Sequence, residues 1–124
     1  MATIKTISGQ PRYVIESGQI KTFQSPLVLY LMRDTNCGLS FCEWNMKRIF
    51  SYEDGVVRDY FGGVLYRFDG SRFQTPSYRT MYWLDRGWVE NDQFWKLYQI
   101  DGYLSKGEVA LLITAFEKGY LERP

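Results

Sequence analysis

Turn chemistry limits what this chain can fold into more than any other feature of its sequence. Ser17-Gly18, Asp54-Gly55, Asp69-Gly70 and Asp85-Arg86-Gly87 each separate two short runs rich in Val, Ile, Tyr, Phe and Trp. Tight hairpin turns need positive φ at their central residues, which Gly supplies at no steric cost and Asp tolerates. Repeated at this spacing, such turns predict successive antiparallel hairpins rather than βαβ units. Strand segments are expected at 12–16 and 19–23, at the apolar run 27–32 (read as buried on both faces), in the alternating stretch from Leu39 to Phe50, and at 56–61, 64–68, 71–75, 79–84 and 88–89.

The periodicity changes after residue 90. Asp92 is placed to cap a helix through Ile100, and Ser105-x-x-Glu108 has the spacing of a capping box. Behind that box Val109, Leu112, Ile113, Phe116 and Tyr120 share a helical stripe, with Leu111 and Ala115 beside it. The predicted fold is therefore α+β: an antiparallel meander of hairpins over residues 12–89, followed by two short C-terminal helices at 92–101 and 105–118. The 124 residues suit one domain spanning 1–124, and no internal repeat, linker or low-complexity tract is visible.

Several function classes are disfavoured. The chain has no histidine, which removes Ser-His-Asp and Cys-His nucleophile systems and two-His metal sites. Catalysis would have to rest on carboxylates or on Cys42, so a non-enzyme is expected. Cys37 and Cys42 alone cannot furnish a four-ligand zinc site, and Gly62-Gly63 and Asp69-Gly70 lack the context of a phosphate loop. No metal or cofactor is expected. Fifteen basic and fourteen acidic residues are spread evenly along the chain, against the clustered excess that duplex nucleic acid requires. With neither a signal-peptide core nor an apolar run long enough to cross a bilayer, a cytoplasmic protein is expected, with no membrane partner.

What remains is binding. Aromatic residues make up 18% of the chain, more rings than so small a domain can bury, so some should serve a binding or self-association surface. Arginines and rings interleave most densely over residues 66–88. Arg72, Arg79 and Arg86 are the candidate charged contacts and Tyr82, Trp83 and Trp88 the candidate ring contacts. Alternation puts Arg79, Met81 and Trp83 on one strip of their strand and Tyr82 and Leu84 on the other. The expected function is a small homo-oligomeric module that occupies a partner protein, as inhibitors and accessory proteins of mobile elements do. Sequestration of a nucleotide-like molecule and carbohydrate binding are the alternatives.

Overall fold

The computed structural model describes residues 1–124. Twelve strands follow one another: β1 (Ala2–Thr6), β2 (Pro11–Glu16), β3 (Gln19–Thr22), β4 (Val28–Thr35), β5 (Gly38–Glu43), β6 (Arg48–Glu53), β7 (Val56–Asp59), β8 (Val64–Phe68), β9 (Arg72–Gln74), β10 (Thr80–Asp85), β11 (Trp88–Asn91) and β12 (Lys96–Gly102). Each pairs antiparallel with its neighbours in sequence, and β1 pairs with β12 through Ile4 and Ile100, so the sheet closes into a barrel. One helix, α1 (Lys106–Glu117), follows the last strand. Closure leaves no unpaired edge.

This corrects the predicted α+β meander with two helices. Residues 92–101 form a loop and a strand, not a helix. The Asn91 side chain accepts from the N–H groups of Gln93 and Trp95, and Phe94 takes φ 64°, which stops a helix before it starts. From Lys96 onward alternation wins, placing Tyr98 and Ile100 inside the wall. Short apolar runs carry both periodicities, and here the neighbouring strands decided between them. The stretch 39–50 also divides into β5 and β6, because Met46 turns the chain at φ 75°. Leu27 is exposed and most of 28–31 only half-buried, so that run is not covered on both faces.

A twelve-stranded wall encloses more space than its own side chains can fill, since about eight strands already suffice for a packed interior. The helix takes up that space. Gly107 and every residue from Val109 to Phe116 are buried, which means that α1 is covered on all sides and lies in the lumen. Its start is fixed by the capping box, with Ser105 Oγ accepting from Glu108 N and Glu108 Oε1 accepting from Ser105 N. Thr114, buried among apolar groups, donates its hydroxyl proton to Ala110 O at 2.7 Å. Gly107 leaves room for the wall, because a Cβ there would stand 3.0 Å from Leu39 and 3.1 Å from Tyr52.

The barrel is also an internal repeat that sequence reading missed. Each of the six hairpins places a buried residue on its first strand opposite a ring on its second: Ile4–Tyr13, Ile20–Tyr30, Phe41–Phe50, Val57–Tyr66, Phe73–Tyr82 and Val89–Tyr98. The first-strand positions fall 16 residues apart, with one interval of 21 between Ile20 and Phe41. A register shift adjoins the paired residues in every hairpin. Such bulges bend and coil a strand, and repeating one in each hairpin gives the curvature that closure needs.

The lumen rings resist ionisation. Burial, aided by the Glu117 carboxylate that accepts from its hydroxyl, pushes Tyr82 up to about 12. Burial raises Tyr98, Tyr13, Tyr30 and Tyr52 as well. An unfolded tyrosine loses its proton near pH 10. Above that pH the folded state therefore binds more protons than the unfolded one, and stability falls as pH rises. Burial raises the Cys42 thiol too, so urea midpoints are expected to hold level from neutrality towards pH 9, to start falling there, and to fall further beyond pH 10, less steeply in Tyr82→Phe. An alkaline limb identical in Tyr82→Phe and the parent would remove Tyr82 from this account.

Candidate docking rim

In an up-and-down barrel alternate connections lie at opposite ends. One rim carries the tight turns, at residues 17–18, 36–37, 54–55, 69–71 and 86–87, together with the start of α1. An acidic residue stands at the close of each second strand, Glu16, Asp34, Glu53, Asp69, Asp85 and Asp101. The other rim carries the longer loops 7–10, 23–27, 44–47, 60–63, 75–79 and 92–95, around the end of α1 and the tail from Lys118.

Five of those longer loops are copies of one device. In each, the N–H of the fourth residue donates to the C=O of the first, as in Gly9 to Thr6, Met46 to Glu43, Gly62 to Asp59, Tyr78 to Thr75 and Phe94 to Asn91. A side-chain oxygen at the first residue braces four of them: Thr6, Asp59, Thr75 and Asn91 accept from N–H groups further along the loop at 2.9–3.1 Å. The fourth residue always has positive φ, which Gly9 and Gly62 adopt freely. Met46, Tyr78 and Phe94 adopt it despite bulky side chains, at φ 75°, 71° and 64°. Placing a non-Gly residue there costs about 1–2 kcal/mol.

These loops expose the apolar surface of the molecule. Eleven of the thirteen large hydrophobic side chains that are exposed lie on this rim: Ile7, Phe23, Leu27, Trp44, Met46, Tyr60, Phe61, Tyr78, Phe94, Trp95 and Tyr120. Phe61 is 92% exposed and Trp44 74%. Only Met1 and Tyr103 lie elsewhere, by the tight-turn rim. Basic groups interleave with the rings: Arg67 stacks on Tyr78 at 4.4 Å, Arg48 on Tyr60 at 5.1 Å and Lys118 on Tyr66 at 5.3 Å. All three ion pairs of the chain, Lys5–Asp101, Arg72–Asp69 and Arg86–Asp85, lie away from this crown.

Of the clefts that reach the crown, two combine its rings with basic groups beside the end of α1 and the tail. One, of about 590 Å³, lies between loops 44–47 and 60–63 and is lined by Lys47, Arg48, Ile49, Tyr60, Phe61 and Tyr120 among others. Tyr120 is anchored edge-on against Phe50 at 5.7 Å. The other, of about 370 Å³, lies between β10 and loop 92–95 and includes Arg79, Met81, Tyr82, Leu97 and Arg123.

The six predicted contact residues are not gathered into one site. Arg79 and Tyr82 do line the same cleft. Arg72 and Trp83 are cross-strand partners on the barrel wall, Arg72 held by Asp69 at 2.9 Å and Trp83 packed on Phe94 at 5.5 Å. Asp69 itself is driven below its usual range: burial opposes this, but the N–H groups of Arg72 and Ser71 and the Arg72 guanidinium outweigh it. Arg86 and Trp88 belong to the opposite rim, where the Arg86 side chain is 93% exposed and Lys96 covers the Trp88 ring at 4.7 Å. Trp83, half-buried on the wall, is expected to lose about 1–2 kcal/mol as Ala, below the roughly 3–5 of a buried ring. A thermal melt showing the larger loss would place it in the core.

Sequence reading passed over Trp44, Phe61, Phe94 and Trp95. The signal that reveals them is positional: in most hairpins an apolar residue stands three to six positions after the buried first-strand residue. Compared with family models, curated proteins and solved structures, the chain matches none of them.

Proposed function

We propose that this chain is a small binding module of the inhibitor or accessory type, which occupies a partner protein through the apolar crown of its longer-loop rim. The observation that carries this reading is the strain at Met46, Tyr78 and Phe94. Three loops hold a large exposed apolar side chain in a backbone conformation that their sister loops give to glycine. Inside the chain these side chains make only surface contacts, Phe94 on Trp83, Tyr78 under Arg67 and Met46 beside Arg33, and strain kept at an exposed position points to use. Contiguous apolar surface of this kind marks interaction sites on soluble proteins, and Trp, Tyr and Arg are the residues that dominate their binding energy.

The triple variant Met46→Gly, Tyr78→Gly, Phe94→Gly tests the reading, because strain and function predict opposite signs. Stability should rise by about 0.5–1 kcal/mol per site as the steric cost is relieved, less the entropy of the added glycines. Partner engagement should fall. Photocrosslinkers at Phe61 or Trp95, used in extracts of the protein's own host, should give a discrete adduct that excess parent protein competes away and the triple variant does not. A crosslinker at Tyr103, on the opposite rim, should give none. Equal labelling from both rims, or competition by the triple variant as effective as by the parent, would defeat the proposal.

A further inference from the structure

The crown is not uniformly apolar, and its charges point to the chemistry of what it meets. We infer, resting on the docking role proposed above, that the partner presents an acidic peptide segment bearing apolar side chains. Its apolar groups seat in the two clefts and its carboxylates pair with the basic groups at their mouths. The larger cleft offers Lys47 and Arg48 beside the rings of Tyr60 and Tyr120. The smaller offers Arg79 and Arg123 beside Tyr82. Neither Lys47 nor Arg79 is in an ion pair within the chain. Arg48 donates only to Cys37 Sγ at 2.7 Å and Tyr60 O at 3.5 Å, and its Nε has no acceptor.

Of the acids near the clefts, Asp59 and Glu117 are committed inwards, whereas Glu43 and Asp92, which line them, are not. Asp59 accepts from the N–H groups of Phe61 and Gly63, and Glu117 accepts from Tyr82. Most acidic side chains at hairpin ends stand on the opposite rim, so an acidic segment meets attraction at the crown and repulsion at the far end. A flat anionic bilayer would satisfy the basic groups equally well. It would leave both clefts unfilled, whereas a polypeptide can seat side chains in them and keep its carboxylates beside the basic groups, clear of Glu43 and Asp92. Concave sockets with cationic mouths fit side-chain knobs on a polypeptide.

The test uses the full chain and defined probes. These are a fluorescent peptide of about twelve residues combining Glu with two Trp, its counterpart with Lys for every Glu, and phosphatidylcholine–phosphatidylserine vesicles. The acidic peptide is expected to bind at least about tenfold tighter than the basic one, and to weaken as salt is added. Lys47→Glu combined with Arg79→Glu, both exposed and each checked for an unchanged thermal melt, should erase the preference. Equal binding of the two peptides, or no binding of the acidic one, overturns the inference. Vesicle binding without acidic-peptide binding also overturns it and assigns the basic groups to a lipid surface. A crown-specific protein adduct beside failed peptide binding would remove the acidic chemistry while leaving the docking role standing.

Discussion

Truncation after Leu104 is expected to abolish cooperative folding outright. The helix lies inside the barrel, so removing it leaves a lumen that the wall cannot close over. Val109, Leu111, Leu112, Ile113 and Phe116 are each at most 8% exposed, and loss of each large side chain from a core costs about 2–5 kcal/mol. Together they exceed the roughly 5–15 kcal/mol that holds a typical domain folded. The wall residues Ile4, Ile20, Phe41 and Val57, fully buried in the intact chain, would face water as well. Circular dichroism should show no sigmoidal thermal transition for the truncated chain. Adding a synthetic peptide of residues 103–124 should restore one. A truncated chain that melts cooperatively by itself would show that the wall is self-sufficient and the helix only a filler.

The largest effect of a single substitution is expected at Phe41. Its ring is fully buried between Phe50, stacked at 4.6 Å and 6°, and Tyr30, stacked at 4.7 Å, with Tyr120 tilted against it at 6.0 Å. Phe41→Ala removes the middle of that stack, where neither neighbour can collapse into the space without breaking its own strand register. A loss of about 3–5 kcal/mol is expected, read as a shift in urea midpoint with little change in slope. Phe61→Ala, at the exposed tip of a neighbouring loop, should stay within about 0.5 kcal/mol of the parent. If the two variants melt alike, Phe41 is not the centre of the packing that its surroundings suggest.

The parts of this fold that were legible in the sequence are those specified by adjacent residues. Gly18, Gly55, Gly70 and Gly87 announce turns because positive φ is a local demand, and all four adopt it. Gly87 also shows what such a site excludes: a Cβ there would stand 2.5 Å from Ile100 O. Ser105 and Glu108 announce a helix start for the same reason, each satisfying the other's backbone. Closure had no local sign. The pairing of Ala2 with Gly102 depends on twist and bulges accumulated across every strand between them. The lumen position of α1 was foreshadowed only by Leu111 and Ala115, which break the one-sided stripe of a surface helix. The repeat stayed hidden because its positions share character rather than identity: Ile, Phe and Val on one strand, Tyr or Phe on the other, with one interval lengthened.

The site was less legible than the fold, for a related reason. Arginines and rings that are neighbours in sequence over residues 66–88 alternate between wall, cleft and opposite rim once the chain runs up and down. Side chains far apart in sequence meet instead, as Arg79 and Arg123 do at one cleft and Arg48 and Tyr120 at the other. Charge behaved likewise. It is balanced along the chain, yet folding places an acidic residue near the tight-turn end of every hairpin.

The pairing of β1 with β12 also fixes an order of events during synthesis. The first strand is made first and waits for its second neighbour until some ninety further residues have been added. Elongation at about 5–20 residues per second makes that wait several seconds or longer. Throughout it the growing sheet has two open edges and an uncovered apolar inner face, because the helix that covers that face follows the last strand. The nascent chain is therefore most vulnerable to strand-to-strand aggregation just before the barrel closes, and anything that slows translation within β11 or β12 would prolong that exposure.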